Sequence, residues 1–384
     1  RIGGEIRVDM AAVKARKDAI VAKSRVGVES WLKGLANCTV YQGHARFEGP
    51  RTVRVGDERL EAKWIFLNTG ARASIPPIPG LAEAGYLDNS SMMEVDFLPR
   101  HLVVLGGGYI ALEFAQMYRR FGSEVTVIER GPRLASREDE DVSATIREIL
   151  EGEGVRVLTG RQVERVERRG QEVVVHAAEE VTGSHLLVAL GRVPNTGDLG
   201  LDRAGIATDA QGYIQVDDEL RTPVEGVWAL GDANGRGAFT HTSYNDYEIV
   251  AANLLDGESR QVSDRITAYA LYIDPPLGRA GMTEAQVRAS GRPALIGKRL
   301  MTRVGRAVEK GESQGFMKIL VDAETKRILG AALLGVEGDE AIHAILDVMY
   351  AQAPYTVLQR AMHIHPTVSE LIPTMLGELR PLMV

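Results

Sequence analysis

A glycine-rich segment has the Gly-x-Gly-x-x-Ala spacing of a phosphate-holding turn, and it reads Gly106, Gly107, Gly108, Tyr109, Ile110 and Ala111. The apolar run Leu102–Leu105 precedes it and an amphipathic run to Phe121 follows, which predicts a strand, a tight turn and a helix. Gly106 permits the turn, Gly108 lets a pyrophosphate approach the backbone, and Ala111 lets helix and strand pack closely. The unsatisfied N–H groups of the helix N-terminus would bind the pyrophosphate, so the segment predicts a dinucleotide site.

An acidic residue follows at the distance that such a site requires. A second apolar strand ends at Glu129, 21 residues after Gly108. Its carboxylate can accept hydrogen bonds from ribose hydroxyls and would repel a 2′-phosphate, which favours NAD over NADP. Arg130 beside it leaves NADP as the alternative. A glycine turn without a ligand is the other interpretation, and the complete strand, turn, helix and strand disfavour it.

Two further segments place polar groups at the ends of buried strands. The run from Gly226 ends in Gly231-Asp232, where an aspartate can bind polyol hydroxyls of a cofactor or simply cap a helix. Thr240 and His241 lie just before the next helix, which we predict from about Ser243, and their N–H groups could face negative charge on a ligand. The second segment, Gly191 to Thr196, follows another apolar strand and is by itself only a turn.

A histidine near the C-terminus has a carboxylate within reach. Pro366 breaks any preceding helix, and a helix beginning near Thr367 would place Glu370 one turn inside it, where it can hydrogen-bond to His365. A carboxylate fixes the histidine tautomer and raises its basicity, as acid–base catalysis requires. A buried structural histidine is the alternative. We assign no metal site, because the two histidines at 363 and 365 have no evident third ligand.

Composition limits the class of protein. The 384 residues carry a net charge of −7, which argues against a nucleic-acid partner, and there is no apolar run of eighteen residues that would span a membrane. The single cysteine, Cys38, excludes an internal disulfide and fits a cytoplasmic location. We interpret Cys38 as a small, partly buried residue. The chain begins at Arg1, so we expect the native protein to start further upstream.

The elements that must position these residues form three parts. A long helix from Asp9 to about Leu35 and short strands to Gly70 precede the glycine turn, and a β-hairpin with two helical stretches follows Arg265. We predict an α/β fold with two Rossmann-like dinucleotide-binding domains, one incomplete, and a C-terminal α+β interface domain. The predicted boundaries are 1–95 with 212–265 for the incomplete domain, 96–211 for the NAD-binding domain and 266–384 for the interface domain.

In this order, the motifs resemble the pyridine nucleotide-disulfide oxidoreductases, which include lipoamide dehydrogenase and mercuric reductase. The resemblance also rests on Thr69-Gly70, on GRVPNT from Gly191, on DPPLGRAGMTE from Asp274 and on HIHPTVSE from His363. It implies that the incomplete domain binds FAD. It also implies a homodimer through the C-terminal domain, in which His365 and Glu370 complete the partner's active site. Tyr109 stands where the family gates the nicotinamide pocket, and Glu113 lies near the nicotinamide and flavin.

The resemblance thus assigns residues to two cofactor sites. The NAD(H) site would comprise Gly106, Gly108, Tyr109, Ile110, Ala111, Glu113, Glu129, Arg130 and Gly191. The FAD site would comprise Thr69, Gly70, Arg192, Gly231, Asp232, Thr240 and His241. The catalytic pair would be His365 and Glu370.

The family's first βαβ unit and its cysteine pair have no counterpart in these residues. The leading hypothesis is therefore an N-terminally truncated FAD-dependent enzyme whose parent passes hydride from NADH to flavin and on to a disulfide or small oxidised acceptor. One alternative is a flavoprotein without redox cysteines that reduces a quinone or dioxygen. The other is a non-catalytic, dimeric NAD-binding remnant.

Overall fold

The computed structural model describes residue 4 and residues 7–383. The chain divides into two compact units, one containing Ile75–Leu190 and residues 266–383, the other containing Asp9–Ser74 and Gly191–Arg265. Among the described residues, the chain therefore passes between units after Val8, Ser74, Leu190 and Arg265. The predicted boundaries of three domains stay a prediction.

A four-stranded parallel sheet forms the first part of the first unit, and its strands are, in spatial order, His185–Val188, His101–Leu105, Glu124–Ile128 and Arg156–Leu158. Leu102 to Leu105 are at most 1% exposed, as expected for a strand covered on both faces. The helix Tyr109–Phe121 follows the strand His101–Leu105. The helix Glu140–Gly152 follows the strand Glu124–Ile128, with Asp139 as its N-cap residue. This arrangement is the predicted dinucleotide-binding fold, and the fold-class prediction is confirmed.

A separate antiparallel sheet in the same unit contains Arg165–Arg169, Glu172–His176 and Glu180–Gly183. The predicted hairpin turn at Arg169-Gly170 is present, with Glu172 paired to Arg169. The segment that leads into the unit includes a short helix, Leu81–Ala84, and a 3₁₀ turn, Ser91–Glu94.

The C-terminal part of the first unit is built on a six-stranded antiparallel sheet, whose strands are, in spatial order, Ala268–Leu271, Leu277–Gly281, Ile328–Leu334, Phe316–Asp322, Ala294–Leu300 and Arg380–Pro381. The central pair is the predicted hairpin. The helices of this part are Glu284–Ala289, Gly305–Lys310, Gly338–Tyr350, Thr356–Arg360 and Ile372–Gly377, with 3₁₀ turns at Met301–Arg303 and Ser369–Leu371. Apolar residues of the sheet and of the helix Gly338–Tyr350 form one buried core.

A buried lysine joins this sheet to the start of the helix Glu140–Gly152. The Lys318 side chain is 1% exposed, and its ammonium lies 2.9 Å from Asp139, 2.7 Å from Asp141 and 3.1 Å from Glu284. These three carboxylates approach one another closely enough to hold a metal ion. Because the ammonium already contacts all three, the geometry indicates a buried ion-pair cluster.

The second unit begins with the predicted long helix, Met10–Gly34. Asp9 is its N-cap residue, and the Asp9 carboxylate accepts a hydrogen bond from the Ala12 N–H at 3.0 Å. An antiparallel sheet follows with strands Ala45–Gly49, Thr52–Val55 and Glu58–Glu61. Two shorter pairs complete the unit, Ile65–Leu67 with Val227–Ala229 in parallel and Ala71–Ala73 with Arg192–Pro194 antiparallel. The short helical elements are Leu201–Ala204, Gly231–Asn234, Ala252–Asp256 and Val262–Asp264.

One predicted helix start was wrong. The helix placed from about Ser243 spans Thr240–Ala251, so Thr240 and His241 are its first two residues. The Thr242 hydroxyl bonds with the Phe239 backbone, 2.7 Å to its carbonyl and 3.1 Å to its N–H, and this fixes the earlier start. Among residue 4 and residues 7–383, no helix combines the length and the apolar content needed to cross a bilayer.

Candidate functional site

The glycine turn in the first unit leaves space for a ligand at its third residue. Gly106 has φ 113°, and a Cβ atom there would lie 2.4 Å from the Ala189 carbonyl oxygen, so the fold itself requires glycine. Gly108 has an ordinary extended backbone, and a Cβ there would meet no atom within 4 Å. No side chain caps the helix at Gly108 within residues 108–112, so the N–H groups of its first turn are available to an anion. The turn therefore fits a pyrophosphate.

The carboxylate of Glu129 lies against this turn. It accepts hydrogen bonds from the Gly107 N–H at 2.6 Å and from the Gly131 N–H at 2.5 Å. Each carboxylate oxygen retains a second lone pair, so the side chain can still accept a bond from a ribose hydroxyl. Its negative charge at this position supports NAD over NADP, while Arg130 is exposed beside it.

The side chains in the first turn of this helix differ in how deeply they are buried. Tyr109 and Ile110 are half-buried, and Ala111 is completely buried, as close packing of helix against strand requires. Glu113 lies one turn after Tyr109 on the same face of the helix. Its carboxylate accepts a hydrogen bond from the Tyr272 N–H at 2.9 Å. Burial raises the pKa of the Glu113 carboxyl, and the Tyr272 bond opposes that rise only in part.

Glu113→Gln should stabilise the protein at neutral pH and not at acidic pH. Because the pKa of Glu113 is raised in the folded protein, the folded state holds its proton more tightly than the unfolded state does. Stability is therefore lost as pH rises from the ordinary value of 4.5 through the raised pKa. Glutamine keeps the acceptor for Tyr272 without that charge. We expect the melting temperature of the variant minus that of the wild type to increase with pH; a difference that is flat or falls with pH would contradict the assignment.

In the second unit, Thr69 is the predicted flavin-binding residue that lines a cleft. Asn195 holds the strand end, because its side chain donates to the Thr69 carbonyl at 3.0 Å and its N–H donates to the Gly70 carbonyl at 2.9 Å. The Thr69 hydroxyl is buried and has no hydrogen-bond partner among the described residues. An unsatisfied buried hydroxyl is uncommon, and a ligand group would satisfy it. A cleft of about 730 Å³ opens here, lined by Gly43, His44, Ala45, Thr69, Arg72, Asn195, Gly197, Asp198 and Leu199.

Asp232 and Arg192 come together as an ion pair. Their closest atoms are 3.2 Å apart, and the same Arg192 nitrogen donates to the Ala71 carbonyl at 2.8 Å. The Arg192 Nε atom is buried without a partner among the residues that the structure describes. The residues present thus offer an orphaned hydroxyl, an orphaned guanidinium N–H and a carboxylate, which fits a cofactor with hydroxyl and phosphate groups. Gly191, which we predicted for NAD(H), belongs to this unit, where its carbonyl accepts from the Ser74 N–H at 2.9 Å.

A buried aspartate positions the Gly231 turn, and sequence reasoning missed it. Asp246 is 1% exposed and accepts hydrogen bonds from the Gly231 N–H at 2.8 Å and the Asn234 side chain at 2.9 Å. Arg265 donates to its other oxygen. Asp246 lies in the helix Thr240–Ala251, so its bond to Gly231 fixes the turn at Gly231-Asp232 relative to that helix. Thr240 and His241, at the N-terminus of the helix, are exposed. No local pattern marked it, since an aspartate inside a helix usually faces solvent.

His365 and Glu370 are paired as predicted. The His365 Nδ1 atom lies 2.9 Å and 3.1 Å from the two Glu370 oxygens. Thr367 supports the turn between them, donating to the Ile364 carbonyl and accepting from the Glu370 N–H. The histidine side chain is 81% exposed and the Glu370 side chain 16%. Because Glu370 occupies Nδ1, the exposed Nε2 is the atom that can exchange a proton with a substrate.

Two models of protein families match this chain, one over its N-terminal and one over its C-terminal residues. The family model "Pyridine nucleotide-disulphide oxidoreductase" matches residues 5–246, and its dimerisation-domain model matches residues 267–376. The "Probable pyridine nucleotide-disulfide oxidoreductase RclA" of Escherichia coli (strain K12) is 38% identical over 346 residues, which cover 88% of this chain and 78% of that protein. A "Dihydrolipoyl dehydrogenase" of Cupriavidus necator is 32% identical and covers 96% of this chain and 80% of that protein.

Solved structures agree with the sequence matches. A structure described as "HOCl-induced flavoprotein disulfide reductase RclA from Escherichia coli" superposes with a TM-score of 0.92 at 36% identity. The superposition covers 97% of this chain and 86% of the other.

Proposed function

Because this chain belongs to the pyridine nucleotide-disulphide oxidoreductase family, we propose that it passes hydride from NADH to FAD and onward to a small oxidised acceptor. It is an FAD-dependent oxidoreductase of the disulfide-reductase type that takes its electrons from NAD(P)H. FAD supplies the two-electron relay between nucleotide and acceptor.

The observation that carries the proposal is the open space at Gly108. A glycine that the backbone does not require, at an uncapped helix N-terminus with Glu129 beside it, is explained by a dinucleotide that needs the space. Thr69 and Arg192 support FAD in the second unit through their orphaned buried atoms. The Glu129 carboxylate supports NADH as the preferred nucleotide.

His365 is proposed as the residue that exchanges a proton with the acceptor. Glu370 bonds to Nδ1 and so fixes the tautomer of the histidine. Nε2 is then the ring atom that gains and loses the proton. A positioned acid–base group of this kind serves an acceptor that takes up protons together with electrons, as a disulfide or a quinone does.

A second copy of the chain is the proposed partner. The region that matches the dimerisation domain exposes Tyr350 at 51%, Val357 at 50%, Met362 at 98% and Ile364 at 79%. Exposed apolar side chains in this region, two of them within three residues of His365, are what a homodimer interface would cover. Met362→Glu combined with Ile364→Glu should shift the protein from dimer to monomer in sedimentation velocity. A wild-type protein that sediments as a monomer at micromolar concentration would contradict this partner assignment.

The acceptor has two candidates. A disulfide is the acceptor that the family favours, and a quinone or dioxygen that takes electrons directly from the flavin is the alternative. The cytoplasmic location and the absence of nucleic-acid and membrane partners stay predictions.

A comparison of acceptors with the FAD-loaded protein tests the proposal. Under anaerobic conditions with NADH, we expect turnover with oxidised lipoamide or with a benzoquinone, and each result selects one candidate. A parallel reaction in air measures dioxygen consumption. FAD-loaded protein that oxidises NADH with none of the three acceptors would contradict the proposed function.

A further inference from the structure

Two tyrosines converge on one carboxylate oxygen beside the glycine turn. Tyr109, the first residue of the dinucleotide-binding helix, donates its hydroxyl proton to Glu138 Oε1. Tyr269, from the first strand of the C-terminal sheet, donates to the same oxygen at 2.6 Å. The two rings are 5.6 Å apart at an angle of 49°. Tyr109 is therefore held at its hydroxyl by Glu138 and along its ring by Tyr269.

The carboxylate of Glu138 is buried and has few other partners. Glu138 is 2% exposed, and its Oε2 atom has no hydrogen-bond partner among the described residues. The nearest cation is the buried Arg279, 3.8 Å away. A buried carboxylate with one neighbouring cation depends strongly on its hydroxyl donors, because hydrogen bonds to an ionised group are among the strong ones. Burial raises the pKa of both tyrosine hydroxyls, so they remain donors at physiological pH.

The segment that holds Glu138 is itself attached to the glycine turn. The Ala135 N–H donates to the Gly107 carbonyl at 2.8 Å, and the Glu138 N–H donates to the Ala135 carbonyl at 2.8 Å. Tyr109 begins the helix on one side of the turn, and Glu138 is fixed on the other. The hydroxyl–carboxylate bond between them therefore closes a ring of contacts around the turn that binds the pyrophosphate.

We infer that Glu138 and Tyr269 are positioning residues, which lock the Tyr109 ring at the edge of the nucleotide site so that the nicotinamide half meets a preformed surface. A ring that is already fixed loses no rotamer freedom when the nucleotide binds, so binding is tighter than with a mobile ring. The inference rests on the proposed function, since it concerns how NAD(H) is bound.

A double-mutant cycle on FAD-loaded protein tests this role, with NAD⁺ as the ligand in isothermal titration calorimetry. We expect Tyr109→Phe and Glu138→Gln each to raise the Kd about five- to tenfold, the usual cost of ordering one freed side chain on binding. The double variant should bind no more weakly than the weaker single variant, because both changes break the same bond. In steady-state kinetics, the KM for NADH should rise while kcat stays within about twofold.

The control is Tyr118→Phe, on the same helix, whose hydroxyl makes only a 3.4 Å contact with the Met92 carbonyl; it should bind NAD⁺ like the wild type. If Glu138→Gln lowers the melting temperature, Tyr269→Phe is the milder variant to use in its place. It should also raise the Kd for NAD⁺. Additive effects of Tyr109→Phe and Glu138→Gln, or unchanged Kd values in both, would overturn the inference. A wild type that binds no NAD⁺ would instead overturn the proposed function.

Discussion

Gly108→Val should weaken NADH binding about a hundredfold, equivalent to about 2.8 kcal/mol, while the protein stays folded. The backbone at Gly108 has φ −85° and ψ 177°, which valine adopts readily, and the added side chain would meet no protein atom near its Cβ. The cost to helix stability is about 1 kcal/mol, that of a poorer N-cap residue. The ligand, in contrast, loses the closest approach of its pyrophosphate. Kd by calorimetry and the melting temperature, measured on the same FAD-loaded preparation, separate the two effects.

Two other glycines of the same domain provide a control and a contrast for this prediction. Gly152→Val is the matched control, because Gly152 ends a helix and also has open space, so NADH binding should not change. Gly106→Val should unfold the domain, since its φ of 113° and the 2.4 Å approach to Ala189 leave no room for a side chain. A Gly108→Val protein that binds NADH as tightly as the Gly152→Val protein would remove the main support for the nucleotide site.

His365→Gln should lower turnover with the acceptor about 10²- to 10⁴-fold, the usual contribution of a positioned acid–base group. Glutamine keeps a polar side chain at an 81% exposed position, so stability should change little. Reduction of the flavin by NADH should proceed at the wild-type rate, because His365 acts after that step in the proposed sequence. Stopped-flow measurement of flavin reduction, followed by steady-state turnover, distinguishes the two half-reactions.

His343→Gln, on the exposed face of the helix Gly338–Tyr350, is the control for replacing a histidine in the same domain. It should retain full turnover. Glu370→Gln should fall between the two, since the glutamine oxygen can still bond to Nδ1 but holds the ring less strongly than a carboxylate does. Equal turnover by the His365→Gln and His343→Gln proteins would exclude His365 from the reaction.

The sequence was most informative where structure depends on neighbours along the chain. The glycine turn, its flanking strand and helix and the pairing of His365 with Glu370 follow from spacing alone, because each is closed by residues within one or two turns. The hairpin of Phe316–Asp322 and Ile328–Leu334 was equally predictable, since both strands and the turn carry their own signals.

The contacts that the sequence could not reveal join distant segments. Tyr269 reaches Glu138 across 131 residues, and Lys318 reaches Asp141 across 177. Such side chains are charged or polar and would be assigned to the surface from composition alone. They become buried because the C-terminal sheet packs against the start of the helix Glu140–Gly152, a tertiary event without a local pattern. The start of the helix at Thr240 was missed for a different, local reason: its N-cap residue is Phe239, and phenylalanine is not a residue type that signals a helix start.

An anaerobic titration of FAD-loaded protein with NADH, followed by the flavin absorbance, tests most directly whether this chain transfers hydride from nucleotide to flavin. We expect the flavin to stay bound through gel filtration and to bleach with one equivalent of NADH, while the Gly108→Val protein retains flavin that NADH reduces only at much higher concentration. Bound flavin that stays oxidised in the wild type with excess NADH, or protein that keeps no flavin at all, would contradict this transfer.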